Sequence, residues 1–272
     1  MNILFWNING KSPEDCLQEL LTENNVDLLI LAEYPYNIDN LCTQVNAVSC
    51  VPYKAIPCIS GRTRIQGIIN IKYDVELLTE VNHYRLVKIT ATGYELIVAM
   101  IHARSKRHSN SDTQKLGLTY FYNDIVAHED AQNINNTIAI GDFNVSPFEN
   151  ACINASGMHA IPFPDAVEND NREVMGKMYR KFYNPTWKLF GNRSAPYTTY
   201  YYDNSGEDCN FYWYAFDQVI IRPALMEAFD EESLRIITGT KNHNLLKVSK
   251  TPDKMNYSDH LPLFCSLKEG LI

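Results

Sequence analysis

Apolar residues in this chain come in short blocks that end on polar ones, and the clearest block predicts a buried strand with chemistry at its tip. Thr137, Ile138, Ala139 and Ile140 run up to Gly141, and Asp142 and Asn144 follow with one residue between them. Such a run places two polar side chains at the C-terminal end of a strand. Open α/β sheets bind and react at that end. Ser146 and Pro147 then read as the N-cap and first position of a helix, whose exposed N–H groups suit an anion. Taken alone, Gly-Asp-Phe-Asn is equally ordinary turn chemistry.

The same pattern recurs along the chain. Residues 2–8 read as a central strand ending in Asn7 and Asn9, and Ser12-Pro13 then predicts a helix start with Leu17, Leu20 and Leu21 on one stripe. Residues 26–32 are continuously apolar, as a strand covered on both faces should be, and stop at Glu33. Between 34 and 64 the pattern is irregular, which suggests loops around short strands or a helix. Residues 67–73, 85–92 and 95–102 predict successive strands, the last two antiparallel and the third ending in His102. An amphipathic helix is expected from Asp112 to about Ala131. Residues 216–221, which contain Asp217, and 261–267, which follow Asp259 and His260, complete the set.

Between these, residues 159–215 carry few periodic runs and many aromatic residues, which predicts an elaborated region laid over the face of the domain. Its aromatics serve either to stack on bases or to pack the loops onto the sheet. With no repeat, low-complexity tract or linker to divide it, the chain of 272 residues is expected to form one domain, 1–272.

Composition narrows the chemistry. A net charge of −8 excludes a global electrostatic grip on nucleic acid, so any polyanionic substrate needs a local basic patch or a bound metal. Arg62, Arg64 and the run Arg104, Lys106, Arg107, His108 are candidate patches, with Arg180-Lys181 and the segment 241–254 as further rim candidates. The seven cysteines are odd in number, scattered and without C-x-x-C pairing, which argues against a disulfide framework or a structural zinc site. No apolar run is long enough to span a membrane, and no leader pattern opens the chain, so a cytoplasmic protein is expected.

The strand ends thus gather Asn7, Asn9, Glu33, His102, Asp142, Asn144, Asp217, Asp259 and His260. Carboxylates and amide oxygens suit a hard divalent cation, and histidines supply donors to a phosphoryl oxygen. The order of WNING, AEY, IHARS, GDFN, FDQV and SDH closely resembles the endonuclease/exonuclease/phosphatase superfamily across about residues 2–267. That resemblance implies a four-layer α/β sandwich, two mixed sheets packed face to face with helices outside. It implies Mg²⁺, or Mn²⁺, held by Glu33 with Asn9 and Asp259. It makes Asp142 the residue that orients or deprotonates water, steadied by Asn7, with Asn144 on the phosphate, His260 backed by Asp217 on a non-bridging oxygen, and His102 stabilising developing charge. Arg62, Arg64, Arg104 and Lys106 would bind substrate. A DNA nuclease is the leading expectation. A phosphoesterase for a phospholipid, phosphoinositide or small-molecule phosphate and a non-catalytic binding module are the alternatives.

Overall fold

Side-chain alternation along the strands sorts the apolar residues into three layers of core. The computed structural model describes residues 1–59, 64–107, 109–206 and 208–272. Its first eight strands are β1 (Asn2–Asn7), β2 (Leu28–Ala32), β3 (Tyr53–Ala55), β4 (Ile65–Asn70), β5 (Asp74–Val81), β6 (Tyr84–Ala91), β7 (Tyr94–His102) and β8 (Thr137–Asp142). One mixed sheet of six strands has the order 229–236, 263–267, β1, β2, β4, β3. The other, of seven strands, runs β5, β6, β7, β8, then 217–221, 182–183 and 160–161.

Ile3, Phe5, Leu28 and Ile30 of the first sheet share a buried cluster with Val98, Met100, Ile138, Ile140, Val219 and Ile221 of the second. The two sheets therefore pack face to face. Intervening residues point outward: Leu4, Trp6, Leu29 and Leu31 meet α1 (Glu14–Glu23) and α2 (Ile38–Val48). On the far side Leu86, Ala99, Ile101 and Ala139 meet Leu118, Phe121 and Ile125 of α3 (Ser111–Gln132). This is the expected helix–sheet–sheet–helix sandwich. Burying each of these Leu, Ile or Phe side chains contributes about 1.5–3 kcal/mol, so the three clusters together hold the strands in place.

Local chemistry moves some boundaries. The first helix begins at Glu14 with Pro13 in the cap position and no side-chain cap, so Ser12 does not cap it. Glu14 and Asp15 in its first turn offset the orphan N–H groups electrostatically. In the irregular stretch, Asn37 caps α2 by accepting from the Asp39 N–H at 2.8 Å. The helix expected at Ser146 does not form: the Ser146 N–H donates to Glu149 Oε1 at 2.7 Å in a turn, and only Asn150–Ile153 is helical. Residues 159–215 contain two small antiparallel hairpins, 171–174 with 177–180 and 200–201 with 213–214. No helix of the described residues is long and apolar enough to cross a membrane.

Candidate active site

The polar residues sit where the inter-sheet core runs out. In β8, Ile138 and Ile140 face the other sheet, so the period of two turns Asp142 the same way. Asp142 is in register with His102 at the end of β7 and with Asp217 at the start of the antiparallel strand 217–221. These three therefore form one row across three strands, extending the apolar stripe with ionisable groups. In the opposing sheet Asn7 extends the stripe of Ile3 and Phe5 and is in register with Ala32, just before Glu33. Parallel strands end here and antiparallel ones begin here, which is how residues distant in sequence meet at one edge.

Backbone geometry tightens the edge further. A Cβ on Gly141, whose φ is +149°, would lie 1.9 Å from the Ile101 carbonyl oxygen, so only glycine lets β7 and β8 approach this closely beside Asp142. Asn9, Glu33 and Asn144 all adopt left-handed backbone, with φ of 48°, 57° and 52°. Glutamate gains nothing from that region, and such conformers persist where the surrounding structure over-determines them.

Asp142 is the hub. It is 1% exposed; Asn7 Nδ2 donates to its Oδ2 at 3.0 Å and the Asn144 N–H donates to its Oδ1 at 2.8 Å. His102 Nε2 lies 3.8 Å and His260 Nε2 4.0 Å from the same Oδ2. Both separations exceed a hydrogen bond, so the two imidazoles face one carboxylate oxygen across a gap. His260 Nδ1 and Asp217 Oδ2 are 2.8 Å apart, and the ring packs on Tyr200 with centroids 4.5 Å apart. Ser258 stitches this segment to β1, its hydroxyl donating to the Asn7 carbonyl at 2.6 Å and accepting from the His260 N–H at 3.1 Å. Trp6 Nε1 donates to the His260 carbonyl at 2.9 Å, completing the tether.

Charge follows from this packing. Burial pushes the Asp142 carboxyl above the usual range, against the pull of His260, His102 and the Asn144 N–H. Burial alone would lower His260, yet the charge and hydrogen bond of Asp217, with Asp142 and Asp259 beyond, outweigh it and hold the imidazole up at about 10. At neutral pH that ring is a cation whose Nδ1–H donates to Asp217. A hydrogen bond with His102, at 3.2 Å from Nε2 to Oε1, holds Glu33 below the ordinary carboxylate range although burial opposes it.

These groups open onto a cleft of about 800 Å³ lined by Asn7, Asn9, Glu33, His102, Asp142, Asn144, Asp259 and His260. Asp217 is not on its wall; it lies behind His260, 1% exposed. Arg64, Arg104, Lys106 and Arg107 line the same cleft, with Lys106 Nζ held 2.7 Å from Glu149 Oε1. Arg62 and His108 lie outside the described residues. Arg180 and Lys181 are corrected: they line a separate depression of about 230 Å³, where Arg180 Nη1 is 3.0 Å from Glu129 Oε2. Asn144 has one amide N–H committed to the Ala103 carbonyl at 2.9 Å, leaving its second. Sequence reasoning quoted Ser258 within the SDH motif without giving it a role, and it did not assign His83 or Tyr200, which line the cleft, to this site.

The donors fit a hard divalent cation. Glu33, Asn9 and Asp259 offer carboxylate and amide oxygens among the residues that line the cleft, and the Glu33 side chain keeps 36% of its surface exposed. A separate acid–histidine cluster is Asp142, Asp217 and His260, with ligand atoms within 4.8 Å of one another. There Asp217 and His260 already bond each other, which makes it a hydrogen-bonded relay rather than a free set of ligands.

No family model matches this chain, and no curated protein matches it in sequence. Solved structures do match in shape. TDP2 of D. rerio, complexed with a single strand DNA product, is similar at TM-score 0.57 and 16% identity, covering 98% of both chains. The 3'-5' exonuclease NExo of Neisseria meningitidis matches at TM-score 0.56 and 15% identity, over 98% of this chain and 99% of that one. An endonuclease/exonuclease/phosphatase family protein of Leptotrichia buccalis matches at 0.57 and 13%, with the same coverage. The chain has the endonuclease/exonuclease/phosphatase fold.

Proposed function

We propose that this protein is a divalent-metal-dependent phosphodiesterase that hydrolyses DNA. The observation that carries the reading is the buried Asp142, held by Asn7 and faced by two histidines at the floor of a cleft with a cationic wall. A phosphodiester repels hydroxide, so a site that cleaves it must neutralise the ester while keeping one basic oxygen beside the water. Asp142 is the group with that basicity, because burial raises it.

In this reading Asp142 orients the attacking water and takes its proton, and Asn7 fixes the carboxylate. His260, kept cationic by Asp217, donates from Nε2 to a non-bridging oxygen. His102 donates to the oxygen on which charge develops, and the remaining Asn144 N–H binds the phosphate. Glu33, Asn9 and Asp259 hold the metal, which supplies Lewis-acid charge neutralisation when bound. Arg64, Arg104 and Lys106 contact flanking phosphates. DNA is favoured as substrate because two solved structures of this fold carry it, TDP2 with its single strand product and NExo with a product hairpin.

The test is incubation of the purified protein with supercoiled plasmid, oligonucleotides, RNA and a panel of small and lipid phosphoesters, with Mg²⁺ or EDTA. Metal-dependent DNA cleavage, lost in Asp142→Ala, is the expected result. Turnover confined to the phosphoester panel would overturn the assignment of DNA, and no turnover of any ester would overturn the reaction itself.

A further inference from the structure

A continuous series of aromatic rings leads away from the reaction centre, starting in the cleft that the arginines also line. Tyr200, stacked near His260, lies 5.3 Å from Phe216, which lies 5.2 Å from Tyr214. Tyr214 is 6.1 Å from Phe211, and Phe211 is 5.3 Å from Phe148. The inner and outer rings differ in exposure: Tyr200, Tyr214 and Phe216 are half-buried, whereas Phe211 and Phe148 keep 54% and 38% of their surface open. Phe148 lies in the turn where a helix was expected, beside Phe211.

Phe148 and Phe211 lie outside the three buried clusters and extend the series into an exposed aromatic platform, in which Phe148 also meets Trp187 and Phe190, each at 6.4 Å between centroids. The inner rings Tyr200, Tyr214 and Phe216 line the cleft together with Arg64, Arg104 and Arg107, and Lys106 sits 5.8 Å from the Phe216 ring. Rings next to a row of cations form the two-part surface that takes bases on one side and phosphates on the other. A fully paired duplex keeps its base faces covered by neighbouring bases.

The geometry points to an unpaired strand as the occupant: the substrate class is nucleic acid with a single-stranded end or tail, its bases stacked along Phe211 and Phe148 while the scissile phosphate sits at Asp142. This deepens the phosphodiesterase reading and rests on it.

The experiment measures binding, in EDTA, of a labelled blunt DNA hairpin, the same hairpin with a tail of ~8 unpaired nucleotides, and vesicles of phosphatidylcholine with phosphatidylserine. A tailed hairpin bound about tenfold more tightly than the blunt one is expected, with the difference reduced about tenfold in Phe148→Ala/Phe211→Ala and retained in Phe211→Trp. Circular dichroism melts of each variant check that the fold is intact. Equal affinity for blunt and tailed hairpins, a tail preference unmoved by the double substitution, or tighter binding to vesicles than to DNA would each overturn the inference. Metal-dependent hydrolysis of bis-(p-nitrophenyl) phosphate, sensitive to Asp142→Asn, is measured beside it. That arm needs no bases, so its success with failed tail binding sinks the strand assignment alone, and its failure sinks the phosphodiesterase reading.

Discussion

Two buried clusters of charge occupy opposite ends of the same sheet, and only one of them is left unfinished. At the start of β8, the Arg222 N–H donates to the Thr137 carbonyl at 2.8 Å, and its guanidinium grips Glu129 through Nε at 2.7 Å and Nη2 at 3.0 Å. Arg180 adds a third contact to Glu129 at 3.0 Å, and Arg222 stacks 3.7 Å from the Phe182 centroid. Every oxygen of that carboxylate is matched by a donor. At the other end of β8, Asp142 has no cation within hydrogen-bond reach, and the buried Asp217 Oδ1 and His102 Nδ1 have no partner. Equal burial thus yields opposite outcomes: the matched cluster locks two strands to α3, while the unmatched one keeps donors and acceptors available to a ligand.

Substitution should separate the two ends. The largest expected effect is on turnover: Asp142→Asn lowers kcat on order 10²–10⁴-fold, while its melting temperature holds or rises because an ionised carboxylate in a buried site is removed. Steady-state kinetics beside a thermal melt read both, and a collapse in stability would place Asp142 in the structural class instead. Next comes Glu129→Gln, expected to cost about 3–5 kcal/mol in chemical denaturation by leaving buried guanidinium charge uncompensated, with kcat of the folded fraction unchanged. A loss of kcat without loss of stability would erase the contrast between the ends.

A pH series sharpens it further. Folding raises His260 from the ordinary 6.5 to about 10, so the stability it brings is fully present below 6.5 and drains away as pH climbs through about 10. Denaturant midpoints should fall from about pH 6.5 up to about 10, and Asp217→Asn should flatten that decline. The smallest effect is expected at the cleft wall, where Lys106→Ala gives up an exposed pair with Glu149 and should raise KM only several-fold at low salt, less at high salt.

How much of this was legible in the sequence depends on how each residue is buried. β1, β2, β7 and β8 announced themselves because they are covered on both faces and read as unbroken apolar runs. Strands β5 and 229–236 did not, since one face of each is open and Asp74, Glu76, Glu231 and Glu232 interrupt the pattern. Asp142, Glu33 and His260 stood at the ends of legible runs, so their convergence followed once the strands were placed. Ser146 misled because Ser-Pro is a good helix start only when the next residues continue the turn, and here Glu149 folds back on the Ser146 N–H instead. Arg180 misled for another reason: a basic dipeptide carries no mark of whether its partner is a ligand or an acid fifty residues upstream, and Glu129 and Asp130 claim it. The tether from Ser258 to the Asn7 carbonyl is a contact between the chain's two ends, which no local pattern encodes.

The left-handed backbone at Glu33 sets selection for sturdiness against selection for catalysis. Glycine tolerates that conformation more easily, so Glu33→Gly would relax the chain and in the same stroke delete the carboxylate assigned to the metal. A search for heat-tolerant variants of this protein would therefore gather silent ones at position 33, and a rising melt there would be the signature of a workshop emptied of its tool.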